Sequence, residues 1–179
     1  MQATVARRAD GSTVLRSTES LGAFPERLTD YLRGWAEIAP DRCFVARREP
    51  SVNGGVNGGV SGDGPWREVS YAQMLRRVQA VAQSLLDLNL SVERPVAILS
   101  DNDIEHLTLA LAAMWAGVPY VPISSAYSLV SQNYGKLRHI LATVTPGLVF
   151  ASGPAFAKAM AATAPADAAV VLTKVTQVT

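Results

Sequence analysis

The apolar and polar positions of this 179-residue chain fall into two regimes that meet near Ser70. Before it, apolar residues come in short, separated clusters. Residues 1–24 read as an extended arm, with Asp10-Gly11 as the turn of a small hairpin. Phe24-Pro25 leads into a helix with the stripe Leu28, Leu32, Trp35 and Ile38 or Ala39, Thr29 as N-cap and Pro40 as its stop. Residues 43–47 and 66–69 are two strand candidates separated by a Gly/Asn-rich segment.

From Ser70 onward helical stripes alternate with compact apolar runs. Ser70 and Gln73 form a capping box for a helix with the face Tyr71, Met74, Leu75, Val78, Ala82, Leu85 and Leu86, ended by Asn89 in the left-handed conformation. Residues 95–100 read as a strand buried on both faces. Asn102 with Glu105 forms a second capping box, opening a helix to Trp115 that is apolar nearly all round and therefore enclosed. A strand over 118–123, a helix over 131–144, a strand over 148–151, a helix over 154–162 and a strand over 168–173 complete the series. This order predicts an α/β fold: three layers, a mainly parallel sheet with helices on both faces, plus the N-terminal arm, helix and small β-hairpin. The expected division is 1–70 for the arm, helix and hairpin and 71–179 for the α/β subdomain.

Composition narrows the function classes. Apolar residues make up 49% of the chain and charged residues 17%, as in a globular domain. The formal net charge is +1, from 16 basic and 15 acidic residues spread along the sequence, so neither a nucleic acid nor an anionic membrane is an expected partner. The single cysteine, Cys43, reads as a small buried residue and fits a reducing, cytoplasmic setting. No run approaches the ~18 apolar residues of a membrane helix. Arg7, Arg8 and Arg16 are followed by no apolar segment of the signal-peptide kind.

Few residues suggest chemistry directly. The segment 51–64 repeats Val-Asn-Gly-Gly, yet it lacks the lysine and following helix of a phosphate loop, and it reads as a flexible hairpin loop. His106 and His139 have no metal-ligand spacing and no nucleophile elbow; surface or interface packing is their expected role. Ser100-Asp101-Asn102-Asp103 follows a strand's carboxyl end, where open sheets place ligands, but capping of the next helix explains it as well. Ser124, Ser125, Tyr127 and Ser128 also follow a strand; a structural turn and a ligand-facing loop are the two readings. Lys136, Arg138 and His139 could face an anion or form a solvated helix face. Trp35, Trp66 and Trp115 are expected to pack in the core.

One run is more specific. Ala116-Gly117-Val118-Pro119-Tyr120-Val121-Pro122-Ile123 resembles the Ala-Gly-x-x-Tyr-Val-Pro signature of the adenylate-forming superfamily of acyl-CoA synthetases, luciferases and adenylation domains. The pattern from Ser124 to His139 is similar to the feruloyl-CoA synthetase branch. So are Phe24-Pro25 through Arg42, Trp66 to Tyr71, Arg94 to Ser100, Asn102 to His106, and Thr145 to Phe150.

The resemblance implies a two-step ligase. ATP and a carboxylate give an acyl-adenylate with Mg²⁺ assisting, and the CoA thiol then displaces AMP. It implies an aromatic carboxylate substrate, with another cinnamate, a benzoate or a fatty acid as the runner-up, and it places Ser124, Ser125 and Tyr127 near the CoA side. Ala126 stands where some relatives carry a basic residue. The family's Ser/Thr/Gly-rich phosphate loop, its acidic adenosine-contacting segment and its C-terminal lysine have no counterpart in residues 1–179. The chain therefore resembles an N-terminal part whose partner is the remainder of the same enzyme. By itself it is expected to bind no cofactor, to be inactive and to self-associate. A free-standing α/β binding module is the alternative.

Overall fold

The computed structural model describes residues 2–49 and 64–173, so the expected loop at 51–64 lies almost wholly outside the described residues. β1 (Ala3–Arg7) and β2 (Thr13–Ser17) form the N-terminal hairpin, Val5 opposite Leu15. Its turn uses Gly11 at φ 84°, a conformation open to glycine at little cost.

Helix α1 (Leu28–Ile38) begins one residue before the expected Thr29 cap. Thr29 is buried inside the helix, and the Asp30 carboxylate instead accepts the Arg27 N–H at 3.3 Å. Of the expected stripe only Leu32 is buried; Leu28, Trp35 and Ile38 remain exposed.

β3 (Cys43–Arg48) and β4 (Trp66–Ser70) make a second antiparallel hairpin, pairing Val45 with Val69 and Arg47 with Arg67. A bulge between Cys43 and Val45 breaks the side-chain alternation. Phe44 thereby meets the Tyr71 ring edge-on at 5.0 Å, and Cys43 is exposed, not buried. Trp66 is exposed too, with the Arg48 guanidinium 5.1 Å from its ring centre, and Trp35 is 41% exposed. Of the three tryptophans, only Trp115 packs as expected, against the core.

Helix α2 (Tyr71–Leu86) starts on the predicted capping box: Ser70 Oγ accepts the Gln73 N–H, and Gln73 Oε1 accepts the Ser70 N–H. Met74, Val78, Ala82 and Leu85 are buried as its period dictates, whereas Leu86 is exposed. Its end does not use Asn89; Asp87 closes it in the right-handed region.

β5 (Val96–Ile98), α3 (Ile104–Ala116), β6 (Tyr120–Pro122), α4 (Ala126–Leu129), α5 (Gly135–Val144), β7 (Leu148–Ser152), α6 (Ala157–Thr163) and β8 (Ala169–Thr173) follow, with a 3₁₀ turn at Pro154–Phe156 before α6. The four strands pair in parallel in the order β6-β5-β7-β8. Alternate residues of the central strands divide the core. Val96, Ile98, Leu148 and Phe150 pack with α2 and α3 on one face. Ala97, Leu99, Val149 and Ala151 pack with Leu137 and Leu141 of α5 and Met160 of α6 on the other. That two-sided burial is the physical source of the near-continuous apolar runs.

Two local expectations fail for one reason: short polar side chains compete for backbone partners. The single helix expected over 131–144 is broken, because Ser131 Oγ takes the Tyr134 N–H at 3.0 Å and Asn133 Oδ1 takes the Gly135 N–H at 3.1 Å, with Tyr134 left-handed at φ 55°. Asn102 does not cap α3; Asp103 does, accepting the His106 N–H at 2.6 Å. No helix among the described residues is long and apolar enough to cross a membrane.

Candidate functional site

From β5 the chain steps outward to β6, then returns past β5 to β7 and β8. The reversal lies between β5 and β7, and the crevice outside the carboxyl ends there is where open α/β sheets receive ligands. Three residues meet at that point: Ser100 just after β5, Asp103 at the start of α3, and Ser152 at the end of β7. Asp103 is the hub. Its side chain is 4% exposed, and the carboxylate accepts the His106 N–H and the Ser152 hydroxyl, with Arg47 Nη1 3.5 Å away.

The β3–β4 hairpin roofs this point. Strand alternation puts Arg47 with Val45 and Arg67 with Val69, on the face turned toward α3. Arg67 donates twice to Glu105, at 2.7 and 3.0 Å, and its Nε lies 2.7 Å from a Glu49 carboxylate oxygen, an ionic contact with the hydrogen out of line. Hydrogen bonding to Glu105 raises the Arg67 pKa against the opposing effect of burial. Burial works against the Glu105 charge in turn, but the Arg67 bonds and the neighbouring guanidinium charges hold its carboxyl below the ordinary value.

His106 is placed by the same turn. Its Nδ1 lies 3.1 Å from the Ser100 carbonyl and 3.2 Å from that of Asp101. Between hairpin and helix runs a groove of about 360 Å³, whose polar lining includes Arg47, Asn102, Asp103 and His106. Among the described residues no group of three or more His, Cys, Asp or Glu side chains could hold a metal ion.

A second groove, of about 370 Å³, lies beyond β6 and is lined by Tyr127, Gly135, Lys136, His139 and Ile140. Lys136 Nζ sits 5.4 Å from the Tyr127 ring centre, within cation–π range. The structure thus brings Tyr127 together with Lys136 and His139, but not with Arg138, whose guanidinium donates to the Ala162 carbonyl at 2.6 Å. Ser124 and Ser125 contribute backbone carbonyls that accept the Tyr127 and Ser128 N–H groups at 3.0 Å. Ser128 is buried, and its hydroxyl has no protein partner among the described residues. Nothing in the local sequence pattern marks Arg47, Arg67 or Ser152 as parts of a site. For the arginines the alternation signals only placement, each two residues from an inward valine.

A family model described as AMP-binding enzyme matches residues 35–179. Tenellin synthetase of Beauveria bassiana is 25% identical over 116 residues, which is 65% of this chain and 2% of that protein. ATP-bound MatB from Rhodopseudomonas palustris is 30% identical with a TM-score of 0.50, covering 59% of this chain and 20% of its own. The fatty acid AMP ligase of Legionella pneumophila superposes with a TM-score of 0.63 at 16% identity, over 82% of this chain and 23% of that one, a likeness of fold alone. The chain spans about a quarter or less of the length of each.

Proposed function

The chain belongs to the AMP-binding enzyme family, and from that premise we propose that it forms the N-terminal α/β part of an ATP-dependent acid–CoA ligase for an aromatic carboxylate of the feruloyl type. The observation that carries the reading is the match across residues 35–179, which takes in the whole parallel sheet. In such a ligase the carboxylate attacks the α-phosphorus of ATP and releases pyrophosphate; the CoA thiol then attacks the acyl carbon and releases AMP. When bound, Mg²⁺ would supply charge neutralisation at the phosphates, and among the described residues no His, Cys, Asp or Glu cluster is placed to hold it.

Residues 1–179 carry none of the phosphate-binding segments this chemistry needs, so they act as a wall of the site and the rest of the enzyme supplies the reacting centre. On this reading Ser124, Ser125 and Tyr127 form the CoA-side loop, and Lys136, held beside the Tyr127 ring, is the cation that meets a phosphate. The exposed apolar residues Leu21, Phe24, Leu28, Tyr31 and Ile38 favour contact with that remainder, or self-association without it.

The test uses the complete enzyme and the isolated chain together. Lys136→Ala in the complete enzyme is expected to raise the KM for CoA roughly ten-fold, as loss of one charge-assisted contact does, with ferulate-dependent ATP–pyrophosphate exchange unchanged. The isolated chain is expected to show no exchange. An unaltered KM would remove Lys136 from the CoA side, and robust exchange by the isolated chain would overturn the division of labour.

A further inference from the structure

The groove between the β3–β4 hairpin and α3 lies at the sheet's own reversal point, apart from the Tyr127–Lys136 groove. We propose that it is a second small-molecule site, taking an uncharged planar ligand that presents a hydrogen-bond donor beside an acceptor, as a carboxamide edge does.

The acceptor for such a ligand is His106 Nε2. Its Nδ1 faces two carbonyl oxygens, which only a protonated nitrogen can satisfy. In the neutral ring the lone pair therefore sits on Nε2, which has no partner among the described residues, and His106 lines the groove. The donor is Arg47. At 3.5 Å from Asp103 its guanidinium is outside the 2.7–2.9 Å range of charge-assisted hydrogen bonds, and its side chain is 48% exposed, so among the described residues its N–H groups stay free for a ligand. Val45, Leu107, Ala110 and Tyr120 add apolar wall, and about 360 Å³ suits a single substituted ring.

Charge selects the ligand class. Asp103 and Glu105 stand against Arg47 and Arg67, so the local field nearly cancels. An anion drawn to Arg47 would approach the Asp103 carboxylate, and a cation would meet the guanidinium. A neutral edge meets neither cost. Ser100 is 3% exposed, its Oγ has no protein partner among the described residues, and its carbonyl is one of the two that fix His106.

The experiment follows amide spectra of the ¹⁵N-labelled chain titrated with benzamide, benzoate and benzylammonium. Benzamide is expected to shift the signals of residues 45–47 and 102–107, and to bind at least about five-fold more tightly than either charged analogue. His106→Asn keeps a donor where Nδ1 was and removes Nε2; it is expected to weaken benzamide binding roughly ten-fold. Arg47→Lys keeps the charge opposite Asp103 but removes the planar fork, and is expected to weaken binding likewise. Absence of benzamide binding below roughly 10 mM, tighter binding of a charged analogue, or shifts centred on 127–140 would overturn the proposal. So would unchanged affinity in a well-folded His106→Asn. If that variant does not fold, unchanged affinity in Arg47→Lys overturns the proposal and a roughly ten-fold loss there upholds it. None of these readouts depends on ligase activity.

Discussion

Replacing Arg67 with methionine keeps the apolar stem and removes the fork that ties the β3–β4 hairpin to α3. The tie is a bidentate pair with Glu105 at 2.7 and 3.0 Å, supplemented by the 2.7 Å contact with Glu49. Its environment sets the magnitude. Fully exposed pairs contribute about 0.2–1 kcal/mol, and breaking a fully buried one costs about 3–5 kcal/mol. Side-chain exposures of 37% for Arg67 and 32% for Glu105 lie between those limits, and solvent screening favours the lower half. We expect Arg67→Met to cost about 1–2 kcal/mol, a fall in Tm of roughly 3–6 °C for a chain of this size.

Thermal and urea unfolding of Arg67→Met, Glu105→Gln and the double variant isolate the pair. A coupling of about 1 kcal/mol is expected, and additivity within about 0.3 kcal/mol would refute the clamp. The pH dependence follows with a definite sign. The Glu105 carboxyl in the folded chain lies below its ordinary 4.5, so the native state binds fewer protons there than the unfolded state. The stabilisation is complete above that ordinary value and is lost as pH falls through the folded value. Glu105→Gln should therefore flatten this part of the acid unfolding limb and, above pH ~6, lower stability by an amount that does not vary with pH.

Two further perturbations test other contacts. Asp103→Ala removes the cap of α3 and strands the Ser152 hydroxyl, for an expected loss of about 2–4 kcal/mol in urea unfolding; Asp103→Asn keeps an acceptor for the cap and should lose less than half as much. Equal losses would refute this, showing that an uncharged acceptor cannot replace the carboxylate at the cap. Gly147→Ala would set a Cβ 2.7 Å from Leu90 Cδ2 and 3.3 Å from the Arg94 carbonyl oxygen, for an expected cost of about 1–3 kcal/mol by calorimetry; a neutral result would mean that Leu90 moves aside freely.

The features legible in the sequence are those whose causes are local. The Ser70–Gln73 capping box, the Asp10-Gly11 turn and the alternation of apolar runs with helical stripes each depend on residues a few positions apart, and each is present. Where local rules misled, two local options were close in energy. Asn102 and Asp103 are both good caps, and the fold selected the one whose carboxylate also reaches Ser152, 49 residues away. The α1 stripe has the right period, but period alone does not say which face is covered: Leu28 and Ile38 stay exposed, and Trp35 meets the Tyr71 ring at 6.1 Å while remaining 41% exposed.

By itself the sequence determined the element types, the parallel α/β class and, through the run from Ala116 to His139, the resemblance that family membership bears out at the level of the superfamily. The tertiary structure alone decided which charged groups meet. Arg67 finds Glu105 across 38 residues, Arg47 stands opposite Asp103, and Tyr127 shares its groove with Lys136 and His139. Periodicity and capping are set by backbone geometry over one or two turns. The partner of a guanidinium depends on how a hairpin lies across a helix, and that is fixed only once the apolar faces beneath them have packed.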